Sequence, residues 1–141
     1  MIDAIIQDGF GSKHKAMVTQ YGQLVVGALS YSTPIAHSMT AINTAYNFAT
    51  PISGKRIVIT DILMYANKGV GANDAAVEIY EAAGDNETTV LKTIISTEML
   101  KQTSRDFTGL NLIVSDGVWL NAKTDDNIIY MTIMYYYIPV D

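Results

Sequence analysis

Histidine is scarce in this chain and cysteine is absent: 2 of the 141 residues are His and none is Cys. Ser–His–Asp catalysis needs an imidazole base that a carboxylate holds in place. His14 lies in a glycine-rich N-terminal stretch, a poor rigid platform. His37 follows Ser32-Thr33-Pro34 in a predicted loop, and no Gly-x-Ser-x-Gly elbow surrounds any serine. The lack of Cys removes thiol nucleophiles, Cys zinc sites and disulfide frameworks. Glycosidase chemistry needs two carboxylates facing each other across a cleft. Glu78 and Glu81 are three residues apart, and on a strand they point to opposite faces. Asp85-Asn86-Glu87 and Asp125-Asp126-Asn127 are acidic tips with oxygen ligands for calcium. Neither has the spacing of a calcium loop with a closing bidentate Glu, and turn formation accounts for both. Gly9-x-Gly11 and Gly69-x-Gly71 lack the strand-to-helix context that places phosphate on a helix N-terminus. No catalytic residue, cofactor site or metal site is therefore expected.

The aromatic residues say more. Tyr135-Tyr136-Tyr137 are consecutive and follow Tyr130. In a strand Tyr135 and Tyr137 share the face of Ile129, Met131 and Ile133, and Tyr136 takes the other. Both faces of this strand are then apolar or aromatic. Such a strand is central in a sandwich, or its outer face meets another subunit. Tyrosine suits interfaces because it joins an apolar body to a polar tip. An exposed Tyr80 or Trp119 would instead suit a sugar-stacking platform.

The elements that must position these residues read as β throughout. Period-2 alternation with β-branched and aromatic residues predicts strands over Ala16–Gln20, Gln23–Gly27, Thr40–Phe48 and Lys55–Ala66. It predicts more over Ala75–Ala82, Thr88–Ser96, Leu110–Val114, Val118–Ala122 and Asn127–Ile138. In Lys55–Ala66 the expected apolar face is Ile57, Ile59, Leu63 and Tyr65. Leu110, Leu112 and Val114 share a face, as do Val118, Leu120 and Ala122, with Trp119 and Asn121 opposite. Only Ser96–Gln102 suggests a helical turn. Asp116-Gly117 has the chemistry of a tight turn, and Pro34, Pro51 and Pro139 fall at or beyond strand ends. Eight or nine short strands separated by turns define an all-β antiparallel sandwich or barrel. Residues 1–22 are expected to be an extended N-terminal arm that leads into the first strand. Residues 23–141 are expected to be the sandwich domain.

Bulk composition narrows the class. The length suits one domain, and the chain is 49% hydrophobic but only 16% charged. Disorder needs the opposite balance. Charge below the usual ~25% points to apolar surface that lies against a partner. Asp and Glu outnumber Lys and Arg by 14 to 9, against a nucleic-acid role, which calls for a basic face. Asp3 and Asp8 near the start do not fit a secretory signal. The most apolar run, Ile128–Ile138, is about half the ~20 residues that a membrane helix needs.

The glycine-rich opening, MVTQYGQLVVG (17–27), INTAYNFATPISGKRIVITDILMYANK (42–68), VEIYEA (77–82) and GVWLNAKTDDNIIYMTIMYYYI (117–138) together resemble the small β-sandwich virion proteins of tailed bacteriophages. That group includes head decoration, or cement, proteins and related receptor-binding modules. The resemblance implies a jelly-roll-like sandwich, a homotrimer and an N-terminal arm that contacts the major capsid protein. It implies a non-enzymatic protein made in the host cytoplasm and carried on the capsid surface. On this reading Phe10, Lys13, His14 and Lys15 bind the capsid, and Tyr135, Tyr136 and Tyr137 lie at the subunit interface. The alternative is a receptor- or carbohydrate-binding module of a tail or head fibre, with a glycan or host-surface ligand. A small hydrolase is the third reading, opposed by the scarcity of histidine and the absence of cysteine.

Overall fold

The computed structural model describes residues 5–7, 13–15, 33–67, 74–126 and 128–140. Every regular element among them is a strand. β1 (Ile5–Gln7) and β2 (Lys13–Lys15) pair antiparallel as a sheet of their own, with Ile6 opposite His14. The part of the N-terminal arm that is described is thus a paired ribbon rather than a single extended run. The strands expected at Ala16–Gln20 and Gln23–Gly27 lie outside the described residues.

The remaining strands are β3 (Thr33–Met39), β4 (Tyr46–Ala49), β5 (Lys55–Asn67), β6 (Ala75–Ala82), β7 (Lys92–Met99), β8 (Ser104–Phe107), β9 (Leu112–Ile113), β10 (Trp119–Thr124) and β11 (Ile128–Pro139). One sheet has the order β3-β11-β5-β8, and β9 also pairs with β5, nearer its N-terminal end. The other has the order β4-β10-β6-β7. All pairings are antiparallel, and the chain is the all-β sandwich that its alternation predicts. The pairs nest: β6 with β7, β5 with β8 and β9, β4 with β10, and β3 with β11. Among these strands the first and the last, β3 and β11, thus lie side by side.

The core lies between the sheets. From β11 come Ile129, Met131, Ile133 and Tyr135. They meet Ala75, Val77 and Ile79 of β6 and Leu120 and Ala122 of β10. Leu110, Leu112 and Val118 pack at the margin, and Val114 is buried, as their alternation predicts. Side chains also bolt the sheets together at both flanks. His37 of β3 donates from Nε2 to the Asn47 carbonyl of β4 at 2.7 Å, with its ring edge-on to Phe48. Arg105 of β8 donates to the Thr97 hydroxyl of β7. Tyr137 donates its hydroxyl to the Thr50 carbonyl at 2.7 Å.

Four expectations are corrected. Ser96–Gln102 is no helical turn: Ser96–Met99 completes β7, because pairing with Ala75–Glu78 and burial of Met99 outweigh local helix propensity. His37 is in edge strand β3, not a loop; Pro34 is tolerated there because one side of an edge strand has no ladder to lose. β4 starts at Tyr46, not Thr40. The preceding residues turn through Asn43, at φ 50°, and the Tyr46 hydroxyl accepts hydrogen bonds from the Thr40 and Ala41 amides. Finally, the inward face of β5 changes phase. Ile57 and Ile59 point into the core, but so do Ile62, Met64 and Ala66, while Leu63 and Tyr65 point out. Opposite the Met134–Tyr135 step of β11 the register slips by one residue at Thr60, and this bulge reverses the alternation.

Candidate functional site

Each sheet has an outer face, and the two are built differently. On the β4-β10-β6-β7 sheet, the β6–β7 connection folds back over the strands. Tyr80 and Asn121 are each 0% exposed beneath it. The Tyr80 hydroxyl donates to the Glu87 carbonyl at 2.9 Å. The Asn121 amide donates to Gly84 and Glu87 carbonyls at 2.8 and 3.2 Å, and its oxygen accepts from Asn47 at 3.1 Å. Burial, reinforced by the nearby Glu78 charge, pushes the Tyr80 phenol above its ordinary pKa. Glu78 pairs with Lys123 at 3.4 Å, and the Lys123 ammonium sits 5.0 Å from the centre of the Tyr80 ring. Tyr80 is therefore a buried strut, and the expectation that it stacks a sugar is corrected.

The outer face of the β3-β11-β5 sheet is exposed at one end, at Tyr65 and Tyr130, and buried at the other, at Val58. Its β11 residues are Ile128, Tyr130, Thr132, Met134, Tyr136 and Ile138, and Leu63 and Tyr65 join them from β5. At one end Tyr65 and Tyr130 are direct cross-strand partners. Their rings lie within 15° of parallel with centroids 6.3 Å apart. They are 39% and 42% exposed, unusual for large aromatics in a sandwich. The Tyr130 hydroxyl accepts from the Asn67 amide at 3.2 Å, which fixes that ring. A shallow groove of about 280 Å³ beside the pair is also lined by Leu63, Ser104, Asp106 and Thr132. At the other end Tyr136 is flanked in register by Val58, and Val58 by Ile113. Val58 is 1% exposed although it lies outside the main core, and Ile113 is 51% exposed. This end is a second, smaller apolar cluster.

The tyrosine triplet is split. Tyr135 is a core residue at 7% exposure, and Tyr137 packs against the core margin, edge-on to Tyr135. Burial, with Tyr135 close by, raises the Tyr137 phenol to about 12. Tyr135 and Tyr137 thus lie on the core side of β11, and Tyr136 takes the opposite face. Lys13, His14 and Lys15 are the three residues of β2. Phe10 lies outside the described residues.

The other candidate groups have structural partners. Glu81, 3% exposed, accepts from the Ser115 amide at 2.8 Å and lies 3.8 Å from Lys92. It faces away from Glu78, as alternation predicts. Asp125 accepts from the Ala76 amide at 2.7 Å, which locks its turn. Among the described residues no three His, Asp or Glu side chains are grouped to hold a metal. Sequence reasoning missed the Tyr65–Tyr130 pair because it placed Tyr65 on the inward face. A bulge was the only missing piece.

The fold defines the class: an all-β antiparallel sandwich. No family model matches the chain, and no curated protein matches it. Among solved structures, one chain from Bacillus endospore appendages, described as disulfide-linked pili, aligns over 74% of this chain and 86% of its own length. The TM-score is 0.34 and the identity 16%. A likeness at that level carries no functional argument.

Proposed function

We propose that this chain is a non-enzymatic virion structural protein: a capsid decoration or cement protein that binds the head lattice of a tailed bacteriophage as a homotrimer. The observation that carries this reading is the second apolar cluster around Tyr136, whose exposed member Ile113 offers apolar surface to another subunit. The nested strand pairs support the finer jelly-roll assignment that the resemblance implies. The β2 strand of the β1–β2 ribbon contains Lys13, His14 and Lys15, a sequence whose charge suits an acidic capsid surface. A protein that binds the assembled lattice stabilises it by mass action, and several arms per oligomer add avidity.

The test is direct. Purified particles are imaged with the labelled protein bound, alongside a variant that lacks residues 1–15. The proposal expects label over expanded heads and loss of occupancy in the variant, with its sandwich still folded by circular dichroism. Label on tails alone, or unchanged head occupancy in the variant, refutes it.

A further inference from the structure

We propose that the Tyr65–Tyr130 groove is a binding site for a neutral pyranose, a function separate from lattice binding. The groove combines three features that a sugar needs and a core or subunit contact does not. The first is exposed ring surface on a rigid support. Tyr65 and Tyr130 stand on the central strands β5 and β11, nearly parallel, and each is about two-fifths exposed. The C–H bonds of a pyranose face carry partial positive charge, which matches the negative face of an aromatic ring.

The second feature is unspent hydrogen-bonding capacity at the ring edges. Among the described residues, the Asp106 carboxylate and the Ser104 and Thr132 hydroxyls make no hydrogen bond or ion pair within the fold. A carboxylate is the strongest acceptor available for sugar hydroxyls. Its charge also selects against acidic sugars, which makes the expected ligand neutral. The third feature is size. At about 280 Å³ the groove sits at the low end of ligand pockets, which run roughly 300–1,000 Å³. It is open and shallow, so it suits a terminal sugar ring rather than an enclosed cofactor.

The position keeps this site apart from the Tyr136 cluster. Tyr130 and Tyr136 are six residues apart on one strand, about 20 Å at ~3.3 Å per residue. A subunit seated at the Tyr136 end leaves the groove accessible, so the two functions are compatible and separately testable.

The experiment uses the intact 15N-labelled chain. It is titrated with methyl glycosides of glucose, galactose and N-acetylglucosamine, and with glucuronic acid as the acidic control. The expected result is saturable shifts at Tyr65, Ser104, Asp106 and Tyr130 with at least one neutral glycoside, with a millimolar Kd. The Tyr65→Ala/Tyr130→Ala double variant should bind at least tenfold more weakly. Tyr130→Phe, which keeps the ring, should bind within about threefold of wild type, and Asp106→Asn should weaken binding while its spectrum stays folded. The proposal is overturned if no neutral glycoside shifts these resonances, if glucuronic acid binds as well, or if the double variant, still folded, binds normally. Head binding by the same variants separates the two readings: loss of sugar binding with normal head occupancy removes this site and leaves the structural role untouched.

Discussion

Asn121 shows how much one buried amide can organise. It is fully buried on the outer face of its sheet, yet both the amide nitrogen and the oxygen have partners. Its nitrogen holds the β6–β7 connection down, and its oxygen ties β10 to Asn47 of β4. Asn121→Ala removes the bonds to the Gly84 and Glu87 carbonyls and the bond from the Asn47 amide in a buried setting. The expected cost is about 2–4 kcal/mol, read from urea unfolding, with the loss concentrated in residues 83–91 by hydrogen exchange. Tyr137 gives a second residue-scale prediction. Its folded-state pKa, about 12, lies above the ordinary tyrosine value of 10.0. A group whose folded pKa is raised holds its proton more tightly when folded, so its contribution is complete below pH ~10 and is lost as pH rises towards about 12. Tyr80 shifts in the same direction, whereas Tyr46 shifts downward: burial raises it, but the Ala41 and Thr40 hydrogen bonds outweigh that effect. Tyr137→Phe should therefore be less stable at neutral pH, by about 1 kcal/mol for the lost bond to Thr50. Its stability should also fall less steeply than that of wild type between pH 10 and 12, measured by urea melts at a series of pH values.

Single bulges decide what each strand presents. β5 spends its N-terminal half with odd residues inward and its C-terminal half with even residues inward, and the switch falls at Thr60. Removing Thr60 would leave Ile62, Met64 and Ala66 inward, in unbroken alternation with Ile57 and Ile59, and would lose only the bulge and its bonds to Met134 and Leu110. The expected outcome is a folded variant with a cooperative melt at lower temperature, read by circular dichroism. Thr60→Ala should stay folded and lose only about 1 kcal/mol, for the bond to the Met134 carbonyl at 3.2 Å. The same bulge explains what could be read from the sequence. β6, β10 and β11 follow strict alternation over their inward residues, and their faces are legible from residue types alone. β5 reads as a strand from its composition, but a one-residue slip carries no residue signature at Thr60, so Tyr65 reads as core. β8 shows mostly exposed polar residues and has no apolar period to detect. β7 was displaced towards its C-terminus because Thr88–Leu91 has strand-like chemistry but is drawn off to cover Tyr80 and Asn121. Burial of Tyr80 likewise depends on a loop that local patterning does not see.

At the scale of the whole molecule, the apolar excess divides among the core, the covered face over Tyr80 and the outer face of β3-β11-β5. A surface residue that packs only against its own strand neighbours tolerates a charge, but one at the centre of a subunit contact does not. Tyr136 and Tyr130 occupy opposite ends of that outer face, so a lysine at each position gives two distinct outcomes. Tyr136→Lys puts an ammonium group beside Val58, where an oligomer would have to desolvate it. Tyr130→Lys puts one beside Asp106, in the groove and away from that contact. Light scattering coupled to size exclusion at micromolar concentration should show wild type and Tyr130→Lys as the same closed oligomer, and Tyr136→Lys as a monomer with an unchanged circular dichroism spectrum. Sugar titration should show the reverse: Tyr136→Lys binds as wild type does, and Tyr130→Lys binds at least tenfold more weakly. A monodisperse wild-type monomer would remove the Tyr136 contact from the molecule, and dissociation by Tyr130→Lys would place the subunit boundary across the groove instead.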